Sequence, residues 1–231
     1  KKYTMNPTPE KTSVMAPFIL MLFLYFIVGL FTVINQQFQV PLKSALLPHD
    51  GNMTNALVTL LNFSWFLAYP FSEGFATRWV DRLGYRKTSV YSLLIFIAGL
   101  GFYEAAVLLH IYAPSYITIM GNPIFTGFFV FLSGSFVIGM AVTILQVVTG
   151  LYLDVNPVGK TTPLQRQMIG GTTNSIGMAI GPLVVSYIIF YGIPLHNVQS
   201  REFIWPVICL IAIICIFTLI TARIKMQAIN V

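Results

Sequence analysis

The strongest limit on the fold comes from a short charged segment, residues 74–87 (GFATRWVDRLGYRK), which lies between two long apolar runs. In a polytopic membrane protein, basic residues hold such a connection on the cytoplasmic side while apolar helices cross the lipid. The segment therefore predicts a membrane-embedded helix bundle and marks one of its cytoplasmic loops. Its charged side chains are Arg78, Asp81, Arg82, Arg86 and Lys87.

The composition supports this interpretation. Hydrophobic residues make up 56% of the chain and charged residues 9%, whereas soluble domains carry about 25% charged residues. The net charge of +6 does not indicate a nucleic-acid partner, because the charges sit at the ends of apolar runs. We expect the lipid bilayer as a partner and no enzymatic activity, since the sequence shows no paired catalytic carboxylates, Ser/His/Asp set or HExxH motif.

Six apolar runs are long enough to cross a hydrocarbon core, which requires about 20 residues per helix. The runs are near-continuous and do not alternate, so no strands are expected. The sequence thus predicts an all-α membrane protein. Its helices are expected at about residues 17–46, 56–72, 88–111, 123–153, 165–191 and 203–222.

The basic residues also predict an orientation. With both termini inside, all but two of the 13 lysines and arginines fall on the cytoplasmic side, the exceptions being Lys43 and Arg201. The positive-inside rule therefore indicates a multi-pass protein of the cell (inner) membrane with both termini cytoplasmic. Residues 1–15 would form a tail, residues 16–225 the bundle, and residues 226–231 the beginning of a central loop.

A repeat relates the first and fourth runs. Residues 26–36 (FIVGLFTVINQ) align without a gap with residues 136–146 (FVIGMAVTILQ). Because the first run enters the membrane from inside and the fourth from outside, this pattern is typical of a three-plus-three inverted repeat. The alignment pairs Gln36 with Gln146, so that the two amides would bracket the membrane midplane.

Amides inside apolar runs are candidate ligands for a neutral, hydroxyl-rich solute, because each amide both donates and accepts hydrogen bonds. The alternative is that these side chains join helices across the bundle. The candidate substrate-binding residues are Asn35, Gln36, Asn62, Gln146 and Asn174.

Two acids lie near or inside the apolar runs. Glu104 is a candidate for proton coupling, since a carboxyl group buried in a membrane can carry a proton at useful pH; the alternative is a structural carboxyl near the outer interface. Glu73, at the inner end of the second run, is expected to pair with the basic segment that follows it.

Gly177 and Gly181 in the fifth run are interpreted as positions of close helix packing, and Pro182 is expected to kink that helix.

With these residues in view, the chain resembles the N-terminal half of a major facilitator superfamily transporter. More narrowly, it is similar to the fucose–proton symporter family and its glucose/galactose branch. The resemblance covers about residues 16–225. It rests on GLFTVINQQFQVPLKSAL in the first run, on LNFSWFLAYPF followed by DRLGYRK, and on MAVTILQVVTGLYL with GGTTNSIGMAIGP.

This resemblance implies one six-helix half of a twelve-helix fold, whose partner is a C-terminal half outside this sequence. It implies alternating-access transport of a neutral sugar, such as a hexose or deoxyhexose, without a bound cofactor. Gln36 and Gln146 stand where the fucose branch has acids, so coupling to H⁺ or Na⁺ is left open beside simple facilitation. The resemblance also implies a cytoplasmic gating loop in which Asp81 acts as a latch. That loop comprises Asp81, Arg82, Gly84 and Arg86.

Two other functions fit the same sequence. Residues 177–182 (GMAIGP) partly match the helix-five motif of drug–proton antiporters. Such a carrier should show a cavity of aromatic side chains with one acid, whereas a sugar carrier should show amides. The other alternative is a non-transporting membrane sensor built on a transporter fold.

Overall fold

The structure, a computed structural model, describes residues 14–47, 52–119 and 121–226. By length and composition, five helical spans in this part of the chain can cross a membrane, which confirms a membrane-embedded, mainly α-helical protein. Residues 1–13 of the expected tail and residues 227–231 lie outside the described residues. The helices are α1 (Met15–Gln37), α2 (Gln39–Leu46), α3 (Asn52–Tyr112), α4 (Gly127–Val155), α5 (Pro163–Leu183) and α6 (Ile204–Arg223).

The long helix α3 reverses direction at Gly84. This residue has φ 77° and ψ 167°, a conformation that is essentially restricted to glycine. Asn62 and Tyr103 both hydrogen-bond to Asn35, although a straight helix would hold these two residues about 60 Å apart. Residues 52–83 (the first arm) and 85–112 (the second arm) are therefore antiparallel to each other. They contain the second and third predicted helices.

The charged segment is therefore not the loop that the sequence predicted. Residues 74–83 continue the first arm and residues 85–87 already belong to the second, so that the change of direction is confined to Gly84. The physical reason is that one glycine with positive φ reverses the chain without any further non-helical residues. The basic side chains consequently project from helix ends.

Other boundaries also differ from the prediction. The first run is divided at Phe38 into α1 and α2. In the fifth run, a π-helical segment (Val184–Ile189) follows Pro182, as expected where a proline removes a helical hydrogen bond. No strands were expected, yet β1 (Tyr116–Ile119) and β2 (Asn122–Phe125) form an antiparallel hairpin. The hairpin lies between the second arm and α4, so residues 123–125 of the helix expected at 123–153 belong to β2 instead.

Glycines bring the helices into close contact. A Cβ atom placed on Gly177 of α5 would collide with the backbone carbonyl oxygen of Phe26 in α1. A Cβ atom on Gly139 of α4 would lie 2.6 Å from the carbonyl oxygen of Trp65 in the first arm. The interpretation of Gly177 as a position of close helix packing is confirmed.

The bundle has two distinct ends. At one, which we call the α2 end, Ser200 donates a hydrogen bond to the carbonyl of Ala45 (2.9 Å) and lies 2.8 Å from Nδ1 of His110. At the other, the turn end, Gly84 reverses α3. There Arg166, only 2% exposed, donates to the carbonyl oxygens of Leu153 (2.6 Å) and Asp154 (2.7 Å) at the end of α4. This arginine satisfies carbonyl groups that a helix terminus leaves unpaired.

Candidate functional site

A cleft of about 410 Å³ opens between α1, the first arm of α3 and α4, toward the turn end. Helical periodicity assembles it. Residues 69, 73 and 77 follow one face of the first arm at intervals of four, and residues 143, 146, 147 and 150 follow one face of α4. We call this the turn-end cleft. Its lining residues are Tyr25, Tyr69, Glu73, Thr77, Thr143, Gln146, Val147, Gly150 and Leu151.

Two hydroxyl groups in the turn-end cleft already donate their single proton. Thr77 Oγ1 donates to the backbone carbonyl of Glu73 at 3.2 Å, and Thr143 Oγ1 donates to that of Gly139 at 2.8 Å. Each hydroxyl oxygen keeps lone pairs that can accept a hydrogen bond. With the Glu73 carboxylate, these oxygens make the lining rich in acceptors.

A second cleft, of about 720 Å³, lies at the α2 end between α2 and the beginning of the first arm. We call it the α2-end cleft. Two of its lining residues are joined by a hydrogen bond, which Ser44 donates to the carbonyl oxygen of His196 at 2.7 Å. The two clefts therefore lie along the same first arm, one toward each end of the bundle. The α2-end cleft is lined by Gln39, Val40, Lys43, Ser44, Leu47, Asn55, Val58, Thr59 and His196.

Two of the predicted site amides are occupied in a buried hydrogen-bond cluster. Asn35 is 2% exposed and donates from Nδ2 to Oδ1 of Asn62 at 3.3 Å. Its own Oδ1 accepts hydrogen bonds from the Tyr103 hydroxyl (3.2 Å) and from Ser135 (3.0 Å). The cluster joins α1, both arms of α3 and α4, so Asn35 and Asn62 act in helix association rather than facing either cleft.

The other three predicted amides lie apart from one another. Asn174 donates to the backbone carbonyl of Tyr25 at 3.0 Å and so ties α5 to α1. The side chain of Gln36 is exposed, and Gln146 is half-buried in the turn-end cleft. Within the described residues, the five amides thus do not converge on one cavity, and Gln146 is the one that lines a cleft.

The two acids also occupy different surroundings. Glu104 is half-buried on the second arm and lines neither cleft; its Oε2 atom has no hydrogen-bond partner among the residues that the structure describes. Glu73 does not pair with the basic segment, contrary to the sequence prediction. Because residues 73–83 are helical, Thr77 occupies position i+4 and Arg78 lies on a different face. Glu73 instead faces the turn-end cleft.

The predicted gating residues surround the turn. Asp81, Arg82 and Arg86 are exposed, and Gly84 supplies the reversal. Asp81 lies near Tyr85, whose ring packs edge-on against Tyr152 with 5.1 Å between centroids. The latch function of Asp81 stays a prediction.

The sequence analysis did not single out Tyr25, Thr77 or Thr143 as site residues. The signal that could have indicated the cleft is the spacing of Tyr69, Glu73 and Thr77 at intervals of four, which places polar groups on one face of an apolar helix. Tyr69 additionally lies beside Thr32 of α1 and Trp65 of its own arm. Comparison of the chain with family models, with curated proteins and with solved structures found no match.

Proposed function

We propose that the chain is the N-terminal six-helix half of a major facilitator-type transporter that moves a neutral sugar, such as a hexose or deoxyhexose, by alternating access. The observation that carries this proposal is the turn-end cleft, which Gln146 lines together with Tyr25 and Tyr69. An amide orients sugar hydroxyls through paired donor and acceptor groups, and aromatic rings pack against the apolar face of the sugar ring.

The inverted repeat is part of the same proposal and has support from helix packing. Gly29 and Gly139 occupy aligned positions in the first and fourth runs. A Cβ atom on Gly29 would meet the backbone carbonyl of Asn174 in α5, and one on Gly139 would meet that of Trp65 in the first arm. Asn174 and Trp65 are separated by nearly the same number of residues as the aligned glycines. The two glycines therefore make corresponding contacts, which supports the proposed inverted repeat.

The two clefts support an alternating-access mechanism. The turn-end and α2-end clefts lie toward opposite ends of the first arm, and a second six-helix half that rocks against this one would close one cleft while opening the other. In this proposal both termini and the turn end are cytoplasmic, because the basic residues around Gly84 favour that side.

Counterflow of radiolabelled sugars in proteoliposomes that contain the complete gene product tests the proposal. Gln146→Ala removes a hydrogen-bonding side chain from the turn-end cleft, so we expect about tenfold weaker apparent affinity for the transported sugar. Gln37→Ala is the matched control: it makes the same change in α1, and Gln37 lines neither cleft. The control should exchange sugar as the unmodified protein does.

Two results would count against this function. If folded protein exchanges no hexose or deoxyhexose, the sugar proposal fails. If the Gln146 and Gln37 variants exchange equally well, sugar does not bind at the turn-end cleft.

A specific observation favours a second candidate, the drug–proton antiporter. The turn-end cleft combines two tyrosines with one acid, Glu73, which is the combination expected for binding an aromatic or cationic drug. Proton-driven efflux of a lipophilic cation from the same proteoliposomes, without sugar exchange, would establish this function. If neither activity is found in folded protein, a membrane sensor built on a transporter fold becomes the better proposal.

A further inference from the structure

The β1–β2 hairpin connects the second arm to α4 without any charged side chain. From residue 105 to residue 153 the sequence contains no Asp, Glu, Lys or Arg, and this stretch includes the whole hairpin. The connection between the fifth run and α6, at the same α2 end of the bundle, carries Arg201 and Glu202. Because charged residues favour contact with bulk water, the composition of the hairpin suits a less polar medium.

One strand of the hairpin is fixed to the bundle and the other is exposed. In β2, Ile124 is 2% exposed and Phe125 is fully buried, with the Phe125 ring edge-on against His110 at 4.8 Å between centroids. In β1, Tyr116 is 50% exposed, and Tyr112 at the end of the second arm is 78% exposed. Within the described residues, β1 pairs with β2 alone. A two-stranded hairpin with an apolar edge strand is only marginally stable in water, so this exposed surface requires a partner.

Exposed aromatic residues mark the level of the membrane surface at the α2 end. His110 and Ser200 lie 2.8 Å apart, which places the end of the second arm level with the beginning of the last helix. Tyr112 follows His110 by two residues, and Trp205 lies in the first turn of α6; both are exposed. Tyrosine and tryptophan favour the boundary between hydrocarbon and water, because each combines an apolar ring with a polar atom. Tyr116 follows Tyr112 by four residues and therefore lies close to the same boundary.

We propose that the β1–β2 hairpin lies in the headgroup region of the bilayer and that Tyr112 and Tyr116 anchor it to phospholipid. Its surface continues the exposed apolar face of the second arm, which includes Leu108 and Leu109, so lipid rather than another protein is the partner. Headgroups and water can bond to the open backbone edge of β1, which hydrocarbon cannot. The anchor would fix the depth of the second arm and α4 in the membrane, whichever solute the protein carries.

Fluorescence quenching measures where the hairpin lies. The complete gene product, with its cysteines replaced, receives an environment-sensitive fluorophore at Thr118→Cys or at Arg201→Cys, both exposed positions. It is reconstituted into phosphatidylcholine vesicles. The label at residue 118 should lose fluorescence to a phospholipid that carries a nitroxide near its headgroup, and iodide on both sides of the membrane should quench it weakly. The label at residue 201 is the matched control and should respond mainly to iodide, which also shows that iodide reaches this end of the bundle.

Substitution of the two tyrosines tests whether they hold the hairpin in place. In Tyr112→Ser/Tyr116→Ser, the label at residue 118 should lose lipid quenching and gain iodide quenching. In Tyr112→Trp/Tyr116→Trp, lipid quenching should persist, because tryptophan also favours the interface.

Three results would overturn the inference. Iodide quenching as strong at residue 118 as at residue 201 would place the hairpin in water. Protection of residue 118 from both quenchers would place the hairpin against another protein segment or a second copy of the chain. Unchanged quenching in the serine variant, shown to be folded by circular dichroism and gel filtration, would show that the tyrosines do not anchor the hairpin.

Discussion

At the scale of single residues, neighbouring polar side chains of α1 have different roles. Asn35 is buried and joins three helices, whereas Gln36 is exposed. Successive residues on a helix point about 100° apart, so a polar pair in the sequence necessarily divides between two faces. The sequence indicated both residues as candidate substrate-binding residues, but only the packing of the neighbouring helices decides which of the two is buried.

Replacement of Asn35 tests its structural role. In Asn35→Ala, the Tyr103 hydroxyl and the Asn62 side chain lose a buried partner. We expect the free energy of unfolding to fall by about 1–2 kcal/mol. Thermal unfolding in detergent, followed by circular dichroism, measures the change.

Asn55→Ala serves as the control, because Asn55 is an exposed asparagine of the same helix bundle. Its stability should stay close to that of the unmodified protein. Equal unfolding temperatures for the two variants would show that the Asn35 cluster contributes little to stability.

At the scale of helices, α5 packs on the bundle through a narrow stripe. Its buried residues are few and spaced along one face, including Gly170, Gly177 and Gly181, and the backbone of α1 approaches closely there. The sequence pattern of small residues predicted close packing, and the structure confirms it. The pattern did not identify which helix packs against α5, since a stripe of small residues allows close approach of any neighbouring helix.

Two alanine substitutions in α5 should have different effects on stability. A methyl group on Gly177 would meet the carbonyl oxygen of Phe26, so Gly177→Ala should reduce the free energy of unfolding by about 1–3 kcal/mol. Gly171 has open space around its Cβ position, so Gly171→Ala should be neutral or should stabilise the protein by up to about 1 kcal/mol.

Unfolding in mixed detergent micelles measures both free energies under the same conditions. A Gly177→Ala protein as stable as Gly171→Ala would show that α1 and α5 are not in close contact.

At the scale of the whole molecule, the placement of basic residues predicts how the bundle sits in the membrane. Arg82 adjoins Gly84 at the turn end, and Arg201 adjoins Ser200 at the α2 end. The positive-inside rule predicts that the turn end faces the cytoplasm. Both arginines are exposed, so each position is open to a chemical label.

Cysteine labelling in intact cells tests this orientation. In a background with Cys209 and Cys215 replaced by alanine, Arg201→Cys should react with a membrane-impermeant maleimide added outside. Arg82→Cys should react only after the membrane is permeabilised. The reverse pattern would invert the proposed topology and place the turn-end cleft on the outer side.

The sequence by itself determined the membrane class, the approximate positions of the helices and the close packing of the glycines. These properties follow from hydrophobic length and residue size, which are local. The tertiary structure decided that Asn62 and Asn174 bond to other helices and that Glu73 lines a cleft with Gln146 rather than pairing with the basic segment. A polar side chain in an apolar bundle bonds to whichever partner the neighbouring helices bring within hydrogen-bond distance. That distance depends on how the helices rotate and pack against one another, which the sequence of a single segment does not determine.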